Sequence, residues 1–126
     1  MKLLVVDKAA PLMARLASAA GEIDGVTVVG KARHARTALE EARRLEPDVV
    51  ILDVRLPGGS GVSLLEAIKQ EMPQIIVIIF SSDGASQYRE RCALGGADYF
   101  FEKNSQCRLF LATLARLSAN KVREAA

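Results

Sequence analysis

Polar side chains follow apolar runs at regular intervals along this sequence. Asp7 follows the first run, Asp53 the third, Ser81 the fourth and Lys103 the fifth. A carboxylate can act as a nucleophile or hold a cation, an ammonium can neutralise an anion, and a hydroxyl can donate a hydrogen bond. If the runs are parallel strands, their carboxyl ends share one edge of a sheet, where ligands bind. We therefore expect these four residues to meet in one site.

Each of these residues also has a purely structural interpretation. An aspartate after a strand is often only a helix N-cap, and this alternative stays open for Asp7. Ser81 alone could cap the next helix, and Lys103 alone could be a surface lysine. Asp53 is a poorer cap candidate because the following helix starts only near Ser60, and a buried carboxylate is costly unless it is used or paired. The conjunction of residues, rather than any one of them, indicates a site.

The apolar pattern that must position these residues alternates between two periods. Short runs rich in strand formers, without polar alternation, are typical of strands covered on both faces; they occupy residues 3–6, 26–29, 49–52, 75–80 and 99–101. Helical spacing follows each run, most weakly over 85–94. Five strand–helix pairs in alternation predict an α/β fold, a parallel sheet with helices on both faces.

Composition excludes several classes of protein. With 126 residues and a formal net charge of +2, the chain fits one domain and lacks the dense basic stripe of a nucleic-acid binder. His34 is the single histidine, which excludes a Ser-His-Asp triad and a zinc site built on several histidines. The longest purely aliphatic or aromatic run, residues 75–80, is far short of the roughly 20 residues of a membrane span. We expect a soluble, cytoplasmic protein.

The remaining features predict structural roles. We expect a single domain over 1–126 with its core at about 2–118 and a frayed tail from 119. The glycines at 58, 59 and 61 fit a turn before a helix better than a phosphate loop, because neither nucleotide-binding spacing is present. We interpret His34 as a surface residue, and Cys92 and Cys107 as small buried hydrophobes.

Four segments of the sequence resemble response-regulator receiver domains of two-component signalling. The segment 47–61, PDVVILDVRLPGGSG, looks like the phosphoacceptor segment of that family, and residues 4–7, LVVD, look like its first strand and acidic pocket. Ser81 matches the hydroxyl residue after the fourth strand, and residues 96–103, GADYFFEK, match the segment that ends in a lysine. The resemblance covers about residues 2–118. It implies a flavodoxin-like, doubly wound (βα)5 fold with strand order 2-1-3-4-5, similar to the single-domain chemotaxis regulators.

The resemblance also implies a role for each site residue. Asp53 would accept a phosphoryl group from a histidine kinase and form an acyl phosphate. Lys103 would contact the phosphoryl oxygens, while Ser81 would move to hydrogen-bond them as Phe100 turns inward. Asp7, Asp53 and the carbonyl of Arg55 would hold Mg²⁺.

The implied partners and activity follow from the same family. A histidine kinase or phosphotransfer protein would supply the phosphoryl group in a phosphorelay. A downstream protein would bind the face made by the fourth helix, fifth strand and fifth helix. A basic patch on the two helices could dock an acidic partner, although a solvated face is the simpler interpretation. The patch comprises Arg89, Arg91, Arg108 and Arg116. We expect no enzyme activity beyond slow self-dephosphorylation, and no direct binding to nucleic acid or membrane. A weak homodimer stays open.

Lys8 is the main departure from the family pattern. The family usually has a second acid there, the one that binds Mg²⁺ directly. The usual pocket holds three carboxylates and one lysine, which leaves two negative charges, whereas two carboxylates and two lysines leave none here. We therefore expect weak Mg²⁺ binding and an ion pair between Lys8 and Asp53; the alternative is that Lys8 extends into solvent. A second departure is Asn104 in place of the usual proline, so we expect a trans peptide bond there.

Two other functions are alternatives to the phosphorylation switch. One is a phosphorylation-independent, receiver-like interaction module that Lys8 holds in one state. The other is an aspartate-nucleophile phosphohydrolase, which would need a second acid two residues after its nucleophile on the first strand. The sequence reads Asp7-Lys8-Ala9 there, which argues against the hydrolase.

Overall fold

The protein is an alternating α/β chain whose parallel sheet carries helices on both faces. The computed structural model describes residues 1–57, 59–82 and 86–125. The strands are β1 Lys2–Val6, β2 Thr27–Ala32, β3 Val49–Leu52, β4 Arg55–Leu56, β5 Gly59–Ser60, β6 Ile76–Ser81 and β7 Tyr99–Glu102. The helices are α1 Ala10–Gly21, α2 Ala35–Leu45, α3 Gly61–Glu71, α4 Ser86–Leu94 and α5 Cys107–Ala125.

The main sheet has five parallel strands in the order β2-β1-β3-β6-β7. Counted within this sheet alone, that is the predicted order 2-1-3-4-5. The chain reverses direction across the sheet between β1 and β3, and this switch point is where a doubly wound sheet opens a crevice for ligands. The α/β fold with a five-stranded parallel sheet is therefore confirmed.

Alternating side chains explain why the strands show no polar alternation. Leu4 and Val6 of β1 enter one buried cluster, which also contains Leu65 of α3. Leu3 and Val5 point to the opposite face and enter a second cluster, which contains Phe110 of α5. Residues 3–6 of β1 thus alternate between two helix layers, and the central strands are apolar on both sides.

Several boundaries differ from the sequence prediction. β2 runs past Gly30, where its end was expected, to Ala32, and a short antiparallel hairpin of β4 and β5 was not predicted. Helix α5 continues to Ala125, although the tail from 119 was expected to fray; Lys121 there pairs with Asp48 Oδ1 at 2.8 Å.

The predictions for single residues are confirmed in some cases and wrong in others. Cys92 is buried as expected, whereas Cys107 is exposed, because it starts α5 on the solvent side of the helix. His34 is exposed at the N-cap of α2 and its side chain makes no capping bond. The peptide bond before Asn104 is trans, as predicted. Within the described residues, no helix combines the length and apolar character needed to cross a membrane.

Candidate functional site

Asp53 lies at the carboxyl end of the central strand β3 and is buried, with 5% of its surface exposed. Its backbone N–H donates to the carbonyl of Val6 on β1, which fixes the residue at the sheet edge. Its Oδ1 accepts hydrogen bonds from the Arg55 N–H at 3.2 Å and from the Ser81 hydroxyl at 3.3 Å. A carboxylate buried in this way needs partners, and a second polar group supplies the strongest one.

That group is Lys103, which follows β7 on the far side of the sheet. The Lys103 N–H donates to the carbonyl of Ser81, and its Nζ contacts both Asp7 Oδ2 and, at 2.9 Å, Asp53 Oδ2. Burial alone would lower the pKa of the ammonium, but hydrogen bonds and charges from the two carboxylates raise the pKa of Lys103 above its ordinary value. The ammonium is therefore held charged between two anions.

Asp7 lies at the end of β1 and is 2% exposed. Its N–H donates to Ala32 at the end of β2, and its Oδ1 accepts the N–H of Ala9 at 2.9 Å. The N-cap of α1 is Ala9, without a side-chain capping bond, so the N-cap interpretation of Asp7 is wrong. The carboxylate instead faces Lys103.

Ser81 is the fourth member of this group and is 1% exposed. It ends β6 beside Glu102 of β7, and its hydroxyl donates to Asp53. The predicted convergence of two carboxylates, a hydroxyl and an ammonium is therefore present in one buried site. We call Asp7, Asp53, Ser81 and Lys103 the acidic pocket from here on.

The chain folds tightly over Asp53 because the residue that opens α3 is glycine. Gly61 N–H donates to the Val54 carbonyl, and a Cβ built on Gly61 would lie 2.5 Å from the carbonyl oxygens of Asp53 and Val54. Ser60 caps α3 by accepting the N–H of Val62. The predicted turn before a helix is replaced at residues 59–60 by strand β5, and Gly61 opens α3; Gly58 lies outside the described residues.

The expected ion pair between Lys8 and Asp53 is wrong in this structure. The Lys8 side chain is exposed, and within the described part of the chain it makes no ion pair. Lys8 lies beyond the end of β1, in the bend before α1, and its side chain is exposed there. Lys103 occupies the position beside Asp53 instead.

Phe100 lies half-buried on β7, where the resemblance puts the aromatic switch. The Arg89 guanidinium lies over its ring, with Cζ 4.5 Å from the ring centroid. Arg89 also donates to the side-chain oxygen of Gln106, which accepts the N–H of Glu102. The sequence does not predict this contact, because the weak apolar pattern of α4 does not indicate which side of the helix packs against the sheet.

The arginines considered for a basic patch, for which a solvated face is the simpler interpretation, have different surroundings. Arg89 covers Phe100, and Arg116 lies near Tyr99 and donates to its hydroxyl at 3.1 Å. Arg91 lines a pocket beside Asp53, together with Lys8. Arg91 therefore lies beside a different pocket from the β7 side chains that Arg89 and Arg116 contact.

Comparison with known proteins agrees with this geometry. Residues 3–115 match the family described as the response regulator receiver domain. The chain belongs to this family. The resemblance drawn from its motifs is thereby confirmed.

The receiver domain is similar to parts of longer proteins. It is 32% identical to protein-glutamate methylesterase/protein-glutamine glutaminase 1 of Syntrophomonas wolfei, over 99% of this chain and 36% of that protein. It is 30% identical to the response regulator GacA of Pseudomonas syringae, over 83% of this chain and 49% of GacA. The chain thus spans a third to a half of these relatives.

Solved structures show the same fold. The response regulator domain of Thermotoga maritima CheB matches with a TM-score of 0.77 and 26% identity, over 99% of this chain and 95% of that one. A two-component response regulator of the LuxR family from Aurantimonas matches with a TM-score of 0.87 and 23% identity, over 94% of this chain and 85% of that one, and supports the fold alone.

Receiver domains generally bind Mg²⁺ at the acidic pocket, and here the donor set fits that ion poorly. All four carboxylate oxygens of Asp7 and Asp53 already accept hydrogen bonds from protein donors. Two carboxylates beside the Lys103 ammonium leave one net negative charge, and Lys8 stands where the family has its third acid. Mg²⁺ prefers several oxygen ligands in octahedral geometry, which this set does not provide.

Proposed function

We propose that this receiver domain is a phosphorylation switch whose acceptor is Asp53. The observation that carries the proposal is the set of donors around this one carboxylate: the Lys103 ammonium on Oδ2, and the Ser81 hydroxyl and Arg55 N–H on Oδ1. A phosphoryl group joined to either oxygen meets donors that are already in place. Donors fixed before the reaction stabilise developing charge without reorganisation.

The transfer itself is a substitution at phosphorus. A carboxylate oxygen of Asp53 forms the new P–O bond, while the P–N bond to the donor's histidine breaks and the imidazole nitrogen keeps the electron pair. The product is an acyl phosphate. The Lys103 ammonium offsets the charge of the incoming group, and its raised pKa keeps it protonated at neutral pH.

The acidic pocket connects directly to the proposed response face, because Lys103 follows β7 and Ser81 ends β6. The buried Ser81 hydroxyl donates a hydrogen bond to Asp53 Oδ1. A phosphoryl group on Asp53 would offer this hydroxyl new oxygen acceptors. A shift of Ser81 opens space near Phe100, whose ring lies on the same strand pair. A local change in hydrogen bonding thereby biases a larger element.

We infer that a separate downstream protein binds the face of α4, β7 and α5. Two large apolar side chains there are exposed, Leu94 at 83% and Leu109 at 54%. Exposed apolar side chains of α4 and α5, together with the arginines of the same helices, fit a protein surface that is partly apolar and partly acidic. The methylesterase activity of longer relatives is not carried over to this chain.

Amide NMR tests the proposed switch. Phosphorylation by acetyl phosphate should shift the signals of Ser81, Phe100 and residues of α4 in the parent protein, and Asp53→Ala should abolish those shifts. The control is Asp48→Ala, which removes an aspartate at the opposite edge of the sheet and should leave the response intact. Shifts confined to the neighbours of Asp53 would contradict a switch that reaches α4.

The observations do not favour the phosphorylation-independent module. That alternative requires Lys8 to pair with Asp53 and keep the domain in one state. Lys8 is exposed instead, and the ion pair with Asp53 is made by Lys103. The acceptor therefore keeps an arrangement suited to transfer.

A further inference from the structure

Gln106 closes the loop that carries Lys103 between β7 and α5. Its N–H donates to the Glu102 carbonyl and its side-chain oxygen accepts the Glu102 N–H, each at 2.9 Å. Gln106 directly precedes α5, and its own carbonyl accepts the N–H of Phe110 in the first turn of that helix. The end of β7 is therefore joined to the start of α5 through Gln106.

The Glu102 N–H faces the open edge of the sheet, because β7 is an edge strand. The next N–H, that of Lys103, points to the neighbouring strand and donates to the Ser81 carbonyl. Backbone groups of a strand alternate between its two sides, so the Glu102 N–H points away from the sheet, where Gln106 supplies its acceptor. Hydrogen exchange at this one N–H therefore reports whether Gln106 is in place.

Arg89 of α4 contacts both Gln106 and the aromatic residue of β7. Its Nη2 donates to Gln106 Oε1 at 3.3 Å, and its guanidinium covers the ring of Phe100, with Cζ 4.5 Å from the centroid. Arg89 and Phe100 are both half-buried, so neither contact is made by a side chain free in solvent. A guanidinium is rigid and planar, so a movement of Arg89 disturbs the two contacts together. We call Arg89 and Gln106 the α4 clamp.

The α4 clamp is connected to the acidic pocket through two adjacent residues. Gln106 holds the N–H of Glu102. The next residue is Lys103, whose N–H donates to the Ser81 carbonyl and whose ammonium contacts Asp53. A phosphoryl group on Asp53 offers new oxygen acceptors to this ammonium and to the Ser81 hydroxyl. A change at these two groups therefore acts on the strand end that Gln106 closes.

We propose that the α4 clamp holds α4 and Phe100 in the unphosphorylated arrangement, and that it opens when Asp53 is phosphorylated. The proposal rests on the proposed function and adds Arg89 and Gln106 to it as positioning residues. A guanidinium bound to a neutral acceptor and a cation over a ring are individually modest interactions. They are strong enough to bias two arrangements and weak enough for a change at one carboxylate to reverse the bias.

Amide hydrogen exchange in the unphosphorylated protein tests the clamp by itself. Gln106→Leu removes the acceptor of the Glu102 N–H and should raise its exchange rate about tenfold. Arg89→Ala should raise the same rate about threefold, because it removes the side chain that supports Gln106. Gln87→Leu is the matched control: it makes the same substitution at an exposed position of α4 and should change the rate less than about twofold. An unchanged rate in Gln106→Leu or in Arg89→Ala would overturn the clamp.

Gln106→Glu tests the coupling in the opposite direction. A carboxylate keeps the acceptor for the Glu102 N–H, adds an ion pair with Arg89 and suits the N-terminus of α5. Exchange at Glu102 should slow about threefold, and the α4 amide shifts produced by acetyl phosphate should be smaller than in the parent. Equal α4 shifts in the parent and in Gln106→Glu would overturn the proposal. A parent that shows no shift at all would instead overturn the phosphorylation switch itself, and with it the role of the clamp.

Discussion

The ammonium of Lys103 lies 2.9 Å from Oδ2 of Asp53 and joins two parts of the chain that are far apart in sequence. The same nitrogen contacts Asp7, so one cation offsets two buried carboxylates. Replacing Lys103 with methionine should lower the free energy of unfolding by about 3–5 kcal/mol, since it leaves the carboxylates buried without their partner. Urea unfolding measures this loss.

Lys121→Met is a control for an exposed ion pair. Lys121 pairs with Asp48, but 51% of its side chain is exposed, so its removal should cost no more than about 1 kcal/mol. Equal losses for the two variants would contradict a buried, central role for Lys103.

The pH dependence of stability should follow the same ammonium. Folding raises the pKa of Lys103, although burial opposes the shift, because Asp7 and Asp53 bind the charged form. Its contribution is therefore fully present below the unfolded pKa of 10.5 and is lost as pH rises through the higher folded value. Unfolding measured across this alkaline range should show a steeper loss in the parent than in Lys103→Met. Parallel profiles would contradict the assignment.

Gly61→Ala should distort the loop over Asp53. A new Cβ would meet two backbone carbonyl oxygens at 2.5 Å, and backbone cannot give way as a flexible side chain can. We expect a loss of about 1–3 kcal/mol in unfolding free energy. Gly21→Ala is the control: it has nothing within 4 Å and ends α1, so it should be neutral or gain up to about 1 kcal/mol. A neutral Gly61→Ala would show that the loop can move.

Lys8→Asp should convert a weak Mg²⁺ site into a stronger one. The substitution restores the third acid of the usual pocket and removes a cation from its rim. Calorimetry should rank the affinity as Lys8→Asp first, Lys8→Ala second and the parent last, with at least a tenfold difference between the first and the last. Equal affinity in all three proteins would mean that residue 8 does not control the metal.

Arg89→Ala should release the ring of Phe100. The guanidinium over this ring contributes on the order of 1 kcal/mol, which changes the ratio of two ring positions about fivefold. The NMR signals of the Phe100 ring should move toward those of the phosphorylated protein. Arg116→Ala, which removes an arginine near Tyr99 on the same face, should leave them in place. Unchanged signals in Arg89→Ala would remove Arg89 from the switch.

The sequence predicted the parts of the site that depend on strand ends. Asp7, Asp53, Ser81 and Lys103 each follow a recognisable apolar run, and parallel pairing brings those ends together regardless of loop details. The direction of a single exposed side chain is harder to infer. The charge of Lys8 suits Asp53 and predicts an inward side chain, but Lys8 lies in the bend after β1, where the pattern of the strand does not fix its direction.

Contacts between helices and loops were also beyond sequence reasoning. Arg89 reaches Phe100, and Arg33 holds the Lys8 carbonyl, only because α4 and the β2–α2 loop take particular orientations. The weak apolar pattern of α4 does not indicate which side of the helix packs inward. The β4–β5 hairpin has only two residues in each strand, too few to show a strand pattern. Such local geometry depends on packing rather than on periodicity.

Mapping the phosphorylated residue tests the central claim most directly. The parent protein and Asp53→Ala would be incubated with a histidine kinase or acetyl phosphate, and acyl phosphates would be trapped with borohydride before peptide mass spectrometry. The account predicts one trapped residue, Asp53, in the parent and no incorporation in Asp53→Ala. Equal incorporation in the variant, or trapping at another aspartate of the parent, would contradict it.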